Sequence, residues 1–239
     1  MPQHLTFVCW KWKPPIGYRS HFGPSTVNTL HSMLTRHYRG SFELVCVTDD
    51  PAGIRSEVRC IKLWNDFASV PSPHGRGNPS CYRRLKMFSA EAVNIFGPRF
   101  VSIDLDVVIT ADVTQLFDHE LPFKMYGDTA RGTPYNGSLI QHTAGTRRQL
   151  WETFDPLRSP QLGIKKRYIG SDQAWIAVCL GPNEPKFTRA DGVYSFRNEL
   201  KPRGGALPND ARIVIFHGAV DPWSPIARAT YPWLKEHYR

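Results

Sequence analysis

Ten residues constrain this chain more than any others. Phe100 to Ile109 is its most apolar strand-like run, and it carries Asp104 and Asp106 one residue apart. Two carboxylates at the end of an apolar strand repel one another unless they are well paired. A divalent cation, which prefers oxygen ligands and can bridge to a diphosphate, relieves that repulsion. The plainer alternative has one aspartate capping a turn and the other paired with a surface lysine. In a parallel α/β sheet, ligands bind outside the carboxyl ends of the strands, so a run of this kind predicts such a sheet with both aspartates on its ligand side.

The residues before the run supply the rest of that sheet. Leu5 to Trp10 reads as a buried strand, rich in β-branched and aromatic residues. A Pro/Gly-containing loop follows, and Ser25 is placed to cap a helix over Thr26 to Tyr38, with Val27, Leu30, Met33 and Leu34 at helical spacing and Gly40 at its end. Phe42 to Thr48 is a second strand and Arg59 to Trp64 a third, which completes a βαβ unit with a right-handed crossover. A Pro/Gly/Ser-rich loop, 65–80, is longer than most connections. Tyr82 to Phe96 is then expected as one helix ended by Gly97-Pro98. Further on, Phe123 to Tyr126, Ser138 to His142 and Arg212 to Phe216 are strand-like. Thr146 to Phe154 is helical, and Gly170-Ser171-Asp172-Gln173 opens another helix.

At 239 residues the length suits one α/β domain over 1–239, with a nucleotide-binding half (1–110) and an acceptor or catalytic half (111–239). Hydrophobic residues at 41% and charged residues at 21% are ordinary for a folded chain. No apolar run approaches the ~20 residues that span a bilayer, and Leu5 to Trp10 is too short for a signal-peptide core. Cys9, Cys46, Cys60, Cys81 and Cys179 show no Cys-x-x-Cys spacing, which argues against a disulfide framework or zinc ribbon. The expectation is a soluble, reduced, cytoplasmic protein. A net charge of +9 favours anionic partners, nucleotide phosphates or nucleic acid among them, although the basic residues are dispersed apart from Lys165-Lys166-Arg167.

Other residues carry chemistry by position. His217 ends a late apolar strand and precedes Gly218, so a neutral imidazole could complete the coordination of a metal held by Asp104 and Asp106. Asp49 and Asp50, at the end of the second strand, could accept from a nucleobase N–H or a ribose hydroxyl, or simply form an Asp-Asp-Pro turn. Trp10 and Trp12 could stack on a base, though Trp10, inside a strand, also suits the core. Asp172 could be a reactive carboxylate, a carboxylate favoured by a helix N-terminus, or both.

Asp104-Leu105-Asp106, Asn136-Gly137-Ser138, Gly170-Ser171-Asp172-Gln173 and His217-Gly218…Pro222-Trp223 follow one another as in GT-A glycosyltransferases, and the chain resembles the family 8 group over about residues 5–223. The resemblance implies a Rossmann-like, mostly parallel sheet flanked by helices. It also implies that Asp104, Asp106 and His217 bind Mn²⁺ (or Mg²⁺), which holds the diphosphate of a UDP-sugar, with Leu105 and Gly218 beside the donor. By the same resemblance, Asn136 and Gly137 contact the donor sugar, as do Asp172 and Gln173 near the reaction centre. In an inverting enzyme Asp172 would be the general base. In a retaining one, Asp172 or Gln173 would stand beside the anomeric carbon. Asp221 occupies the place where that group has a phosphate-contacting lysine, so another cation must substitute, and Arg83, Arg84 and Lys86 are the candidates. The acceptor and the oligomeric state stay open, with an anionic acceptor such as DNA consistent with the charge. Two rival readings remain. One is a haloacid-dehalogenase-like phosphatase with Asp104 as nucleophile and Asp106 as acid/base, and the other is a basic nucleic-acid-binding module.

Overall fold

Every residue of the first strand, β1 (Leu5–Lys11), is buried, as befits a strand covered on both faces. Its side chains alternate between two cores, with Leu5, Phe7 and Cys9 in one and Val8 and Trp10 in the other. The structure is a computed structural model that describes residues 4–18, 21–75, 77–117, 121–127 and 132–239. Position 76 of the long loop 65–80 therefore lies outside the described residues.

After β1 come α1 (Pro24–His37), β2 (Phe42–Thr48) and β3 (Val58–Lys62). β2 pairs parallel with β1, and β3 with β2, so the expected βαβ unit is present. The start of α1 differs from the sequence reading. Gly23 is the cap and Pro24 occupies the first turn, with no side-chain cap from Ser25. The fixed φ of proline and its missing N–H suit that position.

The single helix expected over 82–96 is two pieces: a 3₁₀ stretch, Tyr82–Phe88, and a short α2 (Ala92–Phe96). Ser89 separates them with extended backbone, and packing explains the form. Tyr82, Arg84, Leu85, Met87 and Phe88 are all buried, a set that no one-sided α-helical stripe would bury.

The single strand expected over 100–109 is also two: β4 (Arg99–Ile103) and β5 (Val107–Ile109), in different sheets. The rest of the chain supplies β6 (Phe123–Tyr126), β7 (Asn136–Thr143), α3 (Gln149–Glu152), α4 (Ser159–Lys165) and α5 (Asp172–Leu180). It ends with β8 (Lys186–Phe187), β9 (Val193–Ser195), β10 (Ile213–Ile215), α6 (Pro225–Thr230) and α7 (Trp233–His237). The helix expected over 146–154 is thus only α3. The elements α4, β8, β9, α6 and α7 are too short to leave a periodic signal.

The main sheet has the order β3-β2-β1-β4-β7-β6-β8 and the small one β5-β10-β9. β4 lies parallel to β1 but antiparallel to β7, so the architecture is a mostly parallel α/β sheet flanked by helices. The strand order reverses between β1 and β4, the switch point at which open α/β sheets form their crevice. Among the described residues no helix is long and apolar enough to cross a membrane.

Candidate active site

The topology brings four separate stretches to the carboxyl end of β4. Asp104 follows β4 directly, and its N–H still donates to the Ser138 carbonyl at 2.9 Å. Because β7 runs antiparallel to β4, its first residues, Asn136 and Gly137, lie where β4 ends. Asp172 is the first residue of α5. β10 pairs antiparallel with β5, and Phe216 N–H donates to the Asp106 carbonyl at 3.0 Å, which places His217 beside the aspartates. Asp104, Asp106, Asn136, Gly137, Asp172, Gln173, His217 and Gly218 all line one cleft of about 850 Å³.

Arg84 organises its floor. Nη1 donates to Asp104 Oδ1 at 2.9 Å, Nη2 donates to the Gly137 carbonyl, and Nε lies 3.2 Å from Asp172 Oδ2. One buried guanidinium therefore bridges the end of β4, the start of β7 and the start of α5. Burial works against its charge, but Asp104 and Asp172 outweigh burial and raise its pKa. Asp172 moves upward from the ordinary carboxylate range, first because it is buried and then because Asp104 is near, with Arg84 opposing. Its Oδ1 accepts from Gln173 N–H at 2.9 Å, whereas Oδ2 is buried without a hydrogen bond. Gly137 permits the close approach: a Cβ there would stand 3.1 Å from Arg84 Nη2 and 3.6 Å from Asp172 Oδ2. Gln173 ties the parts together, accepting from Gly137 N–H at 3.1 Å and donating to the Ile169 carbonyl at 2.8 Å.

The three expected metal ligands share this cleft but do not meet. Among the described residues no group of three His, Cys, Asp or Glu side chains stands close enough to hold one ion. The charge of Asp104 is met by Arg84, and His217 Nε2 lies 2.8 Å from Ser195 Oγ. The expected convergence on one point is therefore corrected to a shared cleft.

The structure separates the three basic candidates. Only Arg84 reaches the cleft, where Asp104, Asp172 and the Gly137 carbonyl take up its guanidinium. Arg83 is turned to the Trp64 carbonyl. Lys86 is held by Asp66 at 3.0 Å and Glu91 at 3.4 Å, over the rings of Trp64 and Trp151. Asp49 and Asp50 also lie outside the cleft lining. Asp49 accepts from Lys13 N–H at 2.9 Å, and Asp50 closes its turn by accepting from Ala52 N–H at 2.9 Å. Trp10 is a core residue, packed edge-on against Trp64 and Phe96, with its indole N–H donating to Ser102 Oγ at 2.8 Å. Leu105 buries its side chain in the core between the two aspartates. Lys165, Lys166 and Arg167 are exposed around the end of α4 and do not line the cleft.

Sequence reasoning missed several lining residues, His74, Cys81, Arg197 and Lys201 among them. His74 Nε2 accepts from Gly170 N–H at 2.9 Å and so ties the long loop to the turn before α5. Its one signal was its place in a loop of unusual length. The Cys81 thiol is pushed up to about 12 by burial and then by the charge of Asp172. For Arg197 and Lys201 no sequence signal existed.

No family model matches the chain, and no curated protein matches it. Solved structures do resemble it. The galactosyltransferase LgtC, in complex with donor and acceptor sugar analogs, superposes with a TM-score of 0.63 at 13% identity, over 97% of this chain and 94% of that one. The glycosyltransferase GlyE of Streptococcus pneumoniae gives 0.58 at 14% identity over 92% and 57%. Mouse xyloside xylosyltransferase 1 gives 0.52 at 13% identity over 90% and 98%. At such identities the likeness establishes the fold, which is of the GT-A glycosyltransferase type.

Proposed function

We propose that this chain is a metal-dependent glycosyltransferase that moves a sugar from a nucleoside-diphosphate donor, a UDP-sugar, to an acceptor hydroxyl. The observation that carries the reading is the bridge that the buried Arg84 makes between Asp104 and Asp172, beside Gly137 in the same cleft as Asp106 and His217. A fold alone hosts many chemistries, so the reading rests on these side chains.

The donor types, though not the spacing of the three side chains, suit a divalent cation. Two carboxylates and an imidazole, Asp104, Asp106 and His217, open onto one cleft, and oxygen and nitrogen donors of this kind suit Mn²⁺ or Mg²⁺. Such an ion supplies positive charge to a departing diphosphate. Asp172 and the Asn136-Gly137 turn face the sugar in this reading. The Asp172 carboxylate, ion-paired with Arg84 at 3.2 Å through Oδ2, stands at the cleft lining on the side where the sugar would lie. The carboxylate also steadies positive charge developing at the anomeric centre. Arg84 fixes Asp172 in place, and Gly137, without a side chain, lets both pack against its backbone. A phosphorylatable Asp104, as in the phosphatase reading, fits poorly with a carboxylate already bound by a buried arginine.

The test is calorimetric titration of UDP in the presence and absence of Mn²⁺, followed by turnover of a panel of UDP-sugars. Metal-dependent UDP binding that Asp106→Ala removes supports the reading. No binding, together with turnover of p-nitrophenyl phosphate that Asp104→Asn abolishes, sinks it in favour of the phosphatase.

A further inference from the structure

The cleft presents three carboxylates, Asp104, Asp106 and Asp172. Two phosphates entering it meet like charge, which protein cations facing the cleft would offset alongside a bound metal. Among the described residues, Arg84, Arg197 and Lys201 are the arginines and lysines that line the cleft. Arg84 is buried and taken up by Asp104, Asp172 and the Gly137 carbonyl. Arg197 and Lys201 are exposed, and neither side chain makes a hydrogen bond or ion pair among the described residues.

We propose that Arg197 and Lys201 form the diphosphate clamp of this cleft. This assignment rests on the donor reading given above and names the side chains that would hold the donor's phosphates. Both project from one unusual segment, a π-helical turn, Phe196–Leu200, that runs into a 3₁₀ turn, Lys201–Arg203. Short π-helical turns are rare and concentrate at functional sites. Ser195 begins the segment: its hydroxyl accepts from Asn198 N–H at 3.0 Å and lies 2.8 Å from His217 Nε2, while its N–H donates to Glu199 Oε2 at 2.7 Å. The Phe196 ring stacks on Phe216 at 4.2 Å and 12°. The two cations are thereby anchored to the strand end that carries His217.

Gly218 completes the arrangement. Its φ of +132° disfavours any residue with a side chain, and a Cβ there would stand 2.9 Å from Arg197 Cδ. The stem of Arg197 therefore lies against the Gly218 backbone, beside His217. A planar guanidinium binds phosphate oxygens two at a time, and an ammonium adds a mobile point charge. Together they fit a diphosphate better than a single phosphate or a neutral sugar.

The experiment compares UDP with uridine, in Mn²⁺, on wild type, Arg197→Gln, Lys201→Gln and the double variant. Each substitution should weaken UDP binding about tenfold or more, the loss expected for a charge-assisted hydrogen bond, and leave uridine binding unchanged. Lys166→Gln removes the same charge outside the cleft and should keep wild-type UDP affinity. Both cleft residues are exposed, so melting temperatures should not move. A double variant that binds UDP as wild type does overturns the clamp and leaves the donor reading standing. Equal losses for UDP and uridine also overturn it. A wild-type chain that binds none of UDP, ADP, GDP or CDP overturns the clamp and the donor reading together.

Discussion

Replacing Arg84 with methionine tests whether the cleft floor is held electrostatically. The substitution keeps much of the side-chain volume but removes the guanidinium that lies 2.9 Å from Asp104 and 3.2 Å from Asp172. Deleting one partner of a buried ion pair typically costs about 3–5 kcal/mol, because the remaining charge is left uncompensated. Here two carboxylates are left, which points to the upper part of that range. In a chain of this size each kcal/mol moves Tm by about 2–4 °C, so the loss should be roughly 6–20 °C. The pH dependence follows from Asp172, whose carboxyl is raised by burial and by Asp104 while Arg84 holds it down. Without Arg84 the rise grows. The native state then keeps a proton that the unfolded chain has lost, so stability falls as pH climbs from about 4, the unfolded value, towards the native one. Calorimetric melts should therefore show a larger loss at pH 8 than at pH 5. Adding Asp172→Asn to Arg84→Met removes one stranded charge and should recover about 1–3 kcal/mol. Arg84→Met melting like wild type at pH 8, or a loss identical at both pH values, would refute the argument.

Gly137→Ala should lower transfer turnover far more than Tm, since the new methyl group displaces Arg84 by tenths of an ångström without opening the core; wild-type turnover would show that this placement does not matter. His142 is buried among Phe88, Phe100 and Phe123 with neither ring nitrogen hydrogen-bonded, and burial, with Arg147 adding, pushes its pKa down to about 3. The unfolded chain takes up that proton near pH 6.5, so stability is lost as pH falls from there to about 3. His142→Leu should flatten Tm against pH across this window, and an unchanged slope would show that another group sets it.

The first half of the fold was legible because its strands are long and apolar. Leu5–Lys11 and Phe42–Thr48 are nearly all buried and bracket a helix with Val27, Leu30, Met33 and Leu34 at helical spacing. That the Asp-x-Asp, Asp172, Asn136 and His217 would come together was legible, because each stands at the end of a recognisable element, and all line one cleft. Their partners were not. That Arg84, and neither Arg83 nor Lys86, would enter the site depends on the local 3₁₀ geometry and on β7 and α5 arriving beside it. A sequence of three basic residues in five contains none of that. Arg197 and Lys201 were invisible for the same reason: their direction is set by Ser195 and by Phe196 stacking on Phe216, contacts made across the small sheet.

The split of the Phe100–Ile109 run is the most informative departure. An apolar run looks the same whether it continues in one sheet or crosses between two. Here the crossing falls at the two charged residues, which leaves Asp104 attached to the main sheet through Ser138 and Asp106 attached to the small sheet through Phe216. Leu105, between them, is buried, and its carbonyl accepts from Tyr238 at 3.4 Å. Ile109 N–H, at the far end of β5, donates to Met33 Sδ on α1 at 3.4 Å. The spacing of the two carboxylates is therefore a property of how the sheets pack on one another, because close-packed cores transmit small shifts instead of absorbing them. Tyr238 and Met33 lie outside the cleft lining, yet their contacts with Leu105 and Ile109 help to set the separation of the pair on which the proposed chemistry depends.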